Sequence, residues 1–301
     1  MTPSEQRQLD ALIAAAKAED LGDGDLTSLL MEDGDQPARF ELVAKAPGVL
    51  SGCEVAAAVL EAYDADAELT WAAGVGDGFA WTKVPQTLGT IRGSLATILA
   101  AERVLLNFLQ RLSGVATLTR RFVDALAGTD AGLFDTRKTT PGWRFLEKRA
   151  VCHGGGRSHR AGLHDAVLIK DNHLADVPTS RLAGHVFNML NRMGVLPHSP
   201  IFVEVEARSV EQVAELLKVV GINIILLDNM TASDIERAVA LRDHLGLRGR
   251  VELEASGGVT LDNVRAYAQT GVERISVGAL THSAPALDVS LEREQRIANC
   301  E

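Results

Sequence analysis

A cluster of basic residues occupies the middle of an otherwise acidic chain. Between Arg137 and Lys170 there are eight Lys or Arg residues and two acids, Glu147 and Asp165, so this window carries +6, whereas the 301-residue chain carries −10. Guanidinium groups bind carboxylates and phosphates through two parallel hydrogen bonds, and a Lys ammonium acts as a movable point charge. The window therefore predicts a site for small anions, with a solvated basic surface as the alternative. The glycines at 154–156 favour the site, because glycine lets backbone approach a ligand closely.

Acidic residues end two apolar segments further along the chain. Glu206 and Asp228 each follow such a segment, and Glu204 shares a face with Glu206 because side chains alternate along a strand. Carboxylates facing an anionic phosphate repel it unless a cation or sugar hydroxyls lie between them, and Mg²⁺ with retained waters suits both groups. We therefore predict Mg²⁺ near Glu206 and Asp228, bound directly or through water. A structural ion-pair network is the alternative, and these residues leave open whether Glu204 or Glu206 is the acid on the metal side.

Glycine-containing loops follow the last two apolar segments. Ser256, Gly257 and Gly258 precede a helix predicted at 261–269, and Gly278 follows the next segment. Glycines allow backbone N–H groups to point at a phosphate, and a helix N-terminus adds a favourable dipole. A single such triplet is a weak signal because most are turns. Two of them at neighbouring strand ends resemble the phosphate site of β/α barrels.

These residues require an element pattern that brings strand ends together. Short apolar strands, each followed by a helical pattern, are predicted at 132–134, 166–169, 201–205, 222–227, 251–253 and 274–277. This alternation predicts parallel strands with right-handed crossovers, and two of the helices carry capping boxes at Ser209–Gln212 and Ser233–Glu236. Because the charged and glycine residues lie at the carboxyl ends of the strands, we expect an open β/α barrel. A doubly wound open sheet is the alternative.

The N-terminal part predicts a mixed α/β domain. Helices are expected at 5–17, 55–63 and 94–113, and strands at 40–45, 48–51 and within 69–88. The third helix has an apolar stripe formed by Ile98, Leu105, Leu109 and Leu112, and Gly114 is expected to end it. Arg103 lies on a different, polar stripe of this helix.

Composition excludes several classes of function. Aromatic residues make up 4% of the chain and the pI is about 5.3, so a nucleic-acid partner is not expected. The three cysteines, Cys53, Cys152 and Cys300, form neither a paired framework nor a metal spacing, which fits a reducing compartment. The first residues form no apolar signal region, and no apolar run is long enough to cross a bilayer. We expect a cytoplasmic protein with neither a membrane nor a nucleic-acid partner.

Nine short strings in this chain resemble one enzyme family. They occur in the family's order, and the resemblance runs from about residue 19 to residue 291. In sequence order they are 19–28 (EDLGDGDLTS), 102–114 (ERVLLNFLQRLSG), 135–142 (DTRKTTPG), 159–160 (HR), 168–173 (LIKDNH), 203–206 (VEVE), 227–229 (LDN), 254–258 (EASGG) and 276–282 (SVGALTH). The family is nicotinate-nucleotide pyrophosphorylase (carboxylating), also called quinolinate phosphoribosyltransferase.

The resemblance implies a fold and a reaction. An N-terminal α/β domain, 1–114, would be completed by the tail from about 279 to 301, and 115–278 would form an open barrel of about six or seven strands. Quinolinate and phosphoribosyl pyrophosphate would give nicotinate mononucleotide, pyrophosphate and CO₂, with Mg²⁺, in the de novo synthesis of NAD. The family is dimeric, and Arg103 would reach into the neighbouring subunit's site.

The resemblance also implies roles for individual residues. The catalytic group would be Lys138, Lys170, Glu206 and Asp228. Quinolinate would be bound by Arg103, Arg137, His159, Arg160 and Lys170. Phosphoribosyl pyrophosphate would be bound by Lys138, Asn172, Glu206, Asp228, Ser256, Gly257, Gly258 and Gly278.

Two other functions remain open at this point. A molybdenum-transport-linked relative of the family, acting on another base, resembles this chain in the 135–138 segment, although the string Lys170–His173 favours the quinolinate enzyme. A phosphate-ligand sensor without catalysis is the second, and the complete set of cationic and acidic residues argues against it.

Overall fold

The computed structural model describes residues 1–294, so Cys300 and the end of the predicted tail lie outside the described residues. The chain forms two compact units. The first contains Met1–Arg120, Thr140–Gly155 and the chain from Ala284 onward, and the second contains Arg121–Thr139 and Gly156–Ser283. The segment 140–155, which we predicted to be part of the barrel, therefore belongs to the first unit.

Strands and helices alternate along most of the described chain. The strands are β1 (Pro37–Ala44), β2 (Gly48–Val49), β3 (Glu68–Trp71), β4 (Ala80–Trp81), β5 (Gln86–Ser94), β6 (Gly132–Phe134), β7 (Val167–Ile169), β8 (Val203–Ala207), β9 (Ile224–Asp228), β10 (Glu252–Ser256), β11 (Arg274–Ser276) and β12 (Val289–Arg293). The α-helices are α1 (Pro3–Leu21), α2 (Cys53–Tyr63), α3 (Leu95–Ala125), α4 (Arg144–His153), α5 (Thr179–Leu190), α6 (Val210–Leu216), α7 (Ala232–His244), α8 (Val264–Gln269) and α9 (Ala279–His282). Short 3₁₀ turns occupy Ser28–Leu30, Asp171–His173 and Met193–Val195.

The first unit contains a four-stranded antiparallel sheet in the order β12–β1–β5–β3. The pairing of β12 with β1 sets Val289 opposite Ala44 and Arg293 opposite Phe40, so a strand near the end of the chain joins one near its beginning. Helix α1 begins with a capping box in which Thr2 and Glu5 satisfy each other's backbone N–H groups.

Helix α3 is longer than its sequence predicts. The apolar stripe is confirmed, because Ile98, Leu105, Leu109 and Leu112 are all buried. The prediction that Gly114 ends the helix is wrong, since the helix continues to Ala125. A Cβ atom at position 114 would lie 2.0 Å from the carbonyl oxygen of Pro285. Gly114 is therefore explained by the close approach of another backbone segment and not by helix termination.

The second unit is built on six parallel strands in the order β6–β11–β10–β9–β8–β7. From β7 to β11, each strand pairs with the next strand in the chain, and β11 also pairs with β6. Strands β6 and β7 are consecutive in the chain but lie at opposite edges of the sheet. The strands thus follow one another around an open β/α barrel whose gap lies between the first and the second. This arrangement confirms the predicted fold class, and the strands fall within a few residues of their predicted positions.

The helix caps of the second unit agree with the sequence only at Ser209, and there without the full capping box, because the Gln212 side chain accepts from the backbone N–H of Arg208. Ser209 caps α6, because its hydroxyl accepts a hydrogen bond from the backbone N–H of Gln212. The prediction for Ser233 is wrong: the cap of α7 is Thr231, two residues earlier, and its hydroxyl accepts from the N–H of Asp234. No helix of the described residues has the length and apolar character needed to cross a bilayer.

Candidate active site

A cavity of about 460 Å³ opens at the carboxyl ends of the barrel strands. Strand register explains why its walls are chemically rich. Ser256 pairs with Asp228 on one side and with Ser276 on the other, so the ends of β9, β10 and β11 lie at the same level. The predicted site residues that line the cavity are Arg137, Lys138, His159, Arg160, Lys170, Glu206, Asp228, Ser256, Gly257, Gly258 and Gly278.

Two other predicted site residues are not among those that line this cavity. Asn172 lies in the 3₁₀ turn after β7, is exposed, and its backbone N–H donates to Asp171. Arg103 is exposed on α3 and belongs to the first unit. The cavity also includes His282, to which the sequence assigned no role. Its position four residues after Gly278, at the end of the short helix α9 that follows β11, is the signal that could have found it.

The cationic side of the cavity combines mobile and fixed charges. Lys138 and Lys170 are exposed, whereas Arg160 is only 7% exposed and donates to the carbonyl oxygen of Ala166. Burial and the neighbouring charge of Arg137 lower the pKa of Arg160. Two arginines in close proximity repel each other, and an anion with two carboxylates relieves that repulsion. This side of the cavity therefore suits a dianionic ligand.

His159 is held by the protein at both ring nitrogens. Its Nδ1 accepts a hydrogen bond from the backbone N–H of Arg160 at 2.8 Å, which requires a lone pair on that nitrogen. Its Nε2 lies 3.1 Å from Oε2 of Glu204 and 3.4 Å from Oε1 of Glu254, and its backbone N–H donates to Asp135. The ring is thus fixed between the cavity and the barrel interior.

A buried charge cluster lies beneath His159. Glu204 and Glu254 are both 0% exposed, and Arg274, whose guanidinium packs 3.6 Å from the centre of the Phe134 ring, donates to Glu254 at 2.7 Å. Burial opposes ionisation of Glu254, but the contacts with His159 and Arg274 outweigh it and hold its pKa below the ordinary value. Burial and the charge of Glu254 raise the pKa of Glu204.

One proton of this cluster can lie either on His159 or on Glu204, and the total number of protons is the same in both arrangements. Burial alone would lower the pKa of His159, but its contacts with Glu204 and Glu254 raise it to about 9, which describes a charged ring beside two carboxylates. With the same proton on Glu204 the ring is neutral. Full protonation of His159 would cost the hydrogen bond from Arg160 to Nδ1, so the geometry favours the neutral ring with its proton on Nε2. The cluster is electrically neutral in both cases.

The acidic side of the cavity places the two predicted acids next to each other. Glu206 and Asp228 line the cavity, whereas Glu204 lies beneath it, so Glu206 is the acid that faces a ligand. Burial raises the pKa of Glu206 to about 7, with repulsion by Asp228 and Asp171 adding to the shift and Lys170 and Arg208 opposing it. Crowded carboxylates whose repulsion a cation would relieve, with oxygen donors only, fit Mg²⁺.

His159, Glu204 and Glu254 form a second group with metal-ligand atoms, all within 4.8 Å of one another. Arg274 already supplies a positive charge to this group through Glu254. The buried cluster is thus neutral without a metal, unlike the acidic side of the cavity.

In the glycine loop after β10, a neighbouring side chain leaves no space for a Cβ at Gly257, whereas Gly258 borders open space. Gly257 has a φ of +89°, and a Cβ there would lie 2.4 Å from Oδ1 of Asn229. Asn229 itself has a φ of 53°, and its N–H donates to Ser256. Gly258 has a φ of +60° but nothing within 4 Å of a Cβ. The following helix begins at Val264 and not at 261, so the backbone of this loop, without a helix terminus, is what faces the cavity.

Gly278 makes room for two cavity side chains. A Cβ at this position would lie 3.0 Å from Cδ of Lys138 and 3.2 Å from the His282 ring. The hydroxyl of Thr281 donates to the carbonyl oxygen of Lys138, which ties the loop after β6 to α9. Gly278 therefore allows a cationic and an imidazole side chain to approach the glycine loops.

Comparison with known proteins gives consistent matches over nearly the whole chain. The family model for the N-terminal domain of quinolinate phosphoribosyl transferase matches residues 25–113, and that for its C-terminal domain matches residues 115–292. A chloroplastic nicotinate-nucleotide pyrophosphorylase (carboxylating) of Arabidopsis thaliana is 39% identical over 304 residues, covering 96% of this chain and 84% of that protein. A probable nicotinate-nucleotide pyrophosphorylase (carboxylating) of Bacillus subtilis is 36% identical over 285 residues, covering 95% and 93%.

Solved structures show the same similarity. NadC from Streptococcus pyogenes superposes with a TM-score of 0.86 at 36% sequence identity, covering 98% of this chain and 99% of that one. The nicotinate-nucleotide pyrophosphorylase from Francisella tularensis gives a TM-score of 0.85 at 33% identity, covering 98% of both chains.

Proposed function

Because this chain belongs to the quinolinate phosphoribosyltransferase family, we propose that it converts quinolinate and phosphoribosyl pyrophosphate to nicotinate mononucleotide, pyrophosphate and CO₂ in the synthesis of NAD. One observation about the cavity supports this proposal. The cavity has a cationic side formed around Arg137 and Arg160, and an acidic side formed by Glu206 and Asp228, with glycine loops beside them. A pyridine dicarboxylate and a sugar diphosphate need these complementary surfaces.

The cationic side is assigned to quinolinate. Arg137, Arg160 and Lys170 would bind its two carboxylates, and Arg103 would be contributed by a second copy of the chain. His159 would act with them by fixing the backbone of Arg160 through Nδ1. Because Nε2 of His159 faces Glu204 and Glu254, the ring orients its neighbour and shapes the pocket more than it neutralises a carboxylate.

The remaining residues are assigned to phosphoribosyl pyrophosphate. Lys138 and Lys170 would face its phosphates, Glu206 and Asp228 its ribose and metal, and Asn172 would join them from the loop after β7. Ser256, Gly257, Gly258 and Gly278 would surround a phosphate with backbone N–H groups. Glu206 and Asp228 would hold Mg²⁺ directly or through water, and when bound the ion supplies positive charge to the diphosphate leaving group.

The reaction requires little more than positioning and charge matching. As the pyridine nitrogen forms its bond to the anomeric carbon, the bond from that carbon to the pyrophosphate oxygen breaks and positive charge develops on the ribose. The carboxylates of Glu206 and Asp228 would stabilise this charge. The new pyridinium draws electrons from C2, so the 2-carboxylate leaves as CO₂, and the electron pair left on C2 takes a proton. The protein's part is to align the two substrates and exclude water.

We also propose that the enzyme is a cytoplasmic homodimer without nucleic-acid or membrane partners. The acidic composition supports the absence of a nucleic-acid partner. The dimer is supported by Arg103, which is exposed on α3 and whose role in the resemblance needs a second subunit.

Turnover with parallel substrates tests the proposal. The protein is assayed with phosphoribosyl pyrophosphate and Mg²⁺ in the presence of quinolinate, of nicotinate or of no pyridine, and the products are identified by mass. We expect nicotinate mononucleotide and CO₂ from quinolinate and little product from nicotinate. Nicotinate lacks the 2-carboxylate and would leave part of this cationic side, which includes the buried Arg160, without a counter-charge, at a cost of about 2–5 kcal/mol. Equal efficiency with both pyridines would contradict the assignment of the cationic side, and no pyrophosphate release in any arm would exclude the transferase.

A further inference from the structure

Arg208 reaches two carboxylates that belong to neighbouring strand ends. It lies directly after β8, and its guanidinium contacts Oδ2 of Asp171 at 2.6 Å and Oδ2 of Asp228 at 3.3 Å. Asp171 follows β7 and Asp228 ends β9, so one side chain links the loops after three consecutive strands. No motif or spacing in the sequence indicates that Arg208 belongs to the site.

Both carboxylate oxygens of Asp228 are engaged. Oδ2 accepts from Nε of Arg208, and Oδ1 accepts from the side-chain amide of Asn229 at 2.9 Å. Each oxygen keeps a second lone pair, so a ligand can still contact Asp228, but an ion that binds Oδ2 shares that oxygen with the positive guanidinium of Arg208. Asn229 is fixed, because its backbone N–H donates to Ser256 and its side chain packs against Gly257. Arg208 is 58% exposed, and exposed ion pairs are weak, so it is the partner that can leave.

The charges around Asp228 show why Arg208 matters for a cation. Three carboxylates, those of Glu206, Asp228 and Asp171, act on one another here, and Lys170 and Arg208 are the cations that oppose them. With Arg208 in place, a divalent ion entering alone meets a guanidinium already bound to the same oxygens. A diphosphate that enters with the ion offers the displaced guanidinium an anionic partner.

We propose that Arg208 is a positioning residue that occupies the acidic side of the site and disfavours entry of a free divalent cation, so that the metal binds together with the diphosphate of the substrate. This inference rests on the proposed function, since it assigns a loading order to the same site. Arg208 acts through Asp228 and Asp171 and touches no reacting atom.

Binding of Mn²⁺ as a probe for the metal tests the proposal without turnover. Free Mn²⁺ is measured by electron paramagnetic resonance in titrations of the full chain without substrate. Arg208→Gln is expected to bind Mn²⁺ roughly tenfold more tightly than the unmodified protein, because a positive charge a few ångströms from the ion is removed. Arg237→Gln is the matched control. Arg237 is 60% exposed, pairs with Asp234 at 3.0 Å on α7 and does not line the cavity, so its loss should leave Mn²⁺ affinity unchanged.

Three further measurements locate the effect. Adding Asp228→Asn to Arg208→Gln should abolish the gain, which shows that the extra affinity arises at Asp228. Arg208→Lys keeps a charge and should resemble the unmodified protein. Phosphoribosyl pyrophosphate should increase Mn²⁺ affinity several-fold more in the unmodified protein than in Arg208→Gln.

The outcome decides against the proposal if Arg208→Gln binds Mn²⁺ no more tightly than the unmodified protein, including the case in which neither binds detectably. Equal enhancement by phosphoribosyl pyrophosphate in both proteins decides against it as well. Failure of the proposed function would appear separately, as absence of product from quinolinate in the unmodified protein. Because Arg208 is largely exposed, circular dichroism should show native folding for both Arg208 variants.

Discussion

Arg274 donates from Nε to Oε2 of Glu254 across 2.7 Å, and the Glu254 carboxylate is fully buried in the barrel. The same arginine reaches the exposed Glu252 at 3.3 Å, so one guanidinium is shared by a buried and an exposed carboxylate on the same strand. The buried contact is continuous with His159 and through it with the backbone of Arg160 in the cavity. The position of Arg160 in the cavity thus depends on the contacts among His159, Glu254 and Arg274.

The two carboxylates on β10 should contribute very unequally to stability. Glu254→Gln removes the charge of a fully buried carboxylate that both His159 and Arg274 contact, and we expect a loss of about 3 kcal/mol in the free energy of unfolding. Glu252→Gln is the matched control, since Glu252 is 48% exposed, and should cost less than about 1 kcal/mol. Urea unfolding followed by circular dichroism measures both. Equal losses would show that Glu254 carries no net charge in the folded protein.

The two glycines after β10 should also differ. Gly257→Ala combines an unfavourable positive φ with a Cβ 2.4 Å from Oδ1 of Asn229, and should cost about 2–3 kcal/mol. Gly258→Ala meets open space and should cost about 1 kcal/mol from backbone strain alone. Thermal unfolding compares them, and Asn229→Ala in the Gly257→Ala background should restore the part that is due to the clash. If the double variant is no more stable than Gly257→Ala, the steric explanation is wrong.

Glu206 should make the protein less stable as the pH rises. Burial, with repulsion by Asp228 and Asp171, raises its pKa to about 7, above the ordinary 4.5 that the unfolded chain retains. The folded state therefore binds this proton more tightly, and stability is lost between about pH 4.5 and pH 7 as the unfolded chain releases it first. The predicted loss is about 1–2 kcal/mol after allowance for partial solvent screening.

Glu206→Gln removes that titration. In buffer with a metal chelator, its melting temperature should exceed that of the unmodified protein at pH 8, and the two should coincide near pH 4.5. Differential scanning calorimetry across this range measures the difference. A gap that is the same at every pH would mean that the substitution acts through packing and not through the carboxyl charge.

The proposed dimer predicts complementation between two inactive variants. Arg103→Ala removes the residue that each subunit would lend to its neighbour, and Lys138→Ala removes a residue of the cavity itself. When the two are mixed and exchange subunits at random, half of the dimers carry one intact site of two, so activity should return to about a quarter of the unmodified level. Turnover of quinolinate after demonstrated subunit exchange is the measurement. No recovery would place Arg103 in the site of its own chain or outside the site.

Local sequence patterns were sufficient for the second unit's architecture. The alternation of apolar strands and helices predicted six parallel strands, and the residues at strand ends predicted which side chains would line a cavity. Alternation, strand termination and the meeting of parallel carboxyl ends depend on the chain's immediate neighbours and on general geometry. Glu206 and Asp228 lie together for this reason, although they come from different strands.

Contacts between residues that are far apart in the chain could not be predicted from the sequence. Gly114 was read as a helix end because glycine commonly ends helices, whereas the approach of Pro285 from 171 positions further along explains it. Pairing of β12 with β1 likewise joins opposite parts of the chain. No local pattern reports such an approach, since it depends on how whole elements pack.

The sequence by itself determined the family, the barrel, and the types of charge at the strand ends. Only the tertiary structure decided that Glu204 is buried beneath the cavity beside Glu254, that both ring nitrogens of His159 contact the protein, and that Arg208 contacts Asp228. Residue type and strand position follow from short-range periodicity. Which charge faces which depends on strand register and side-chain direction across the sheet, and these are fixed only when the strands are packed together.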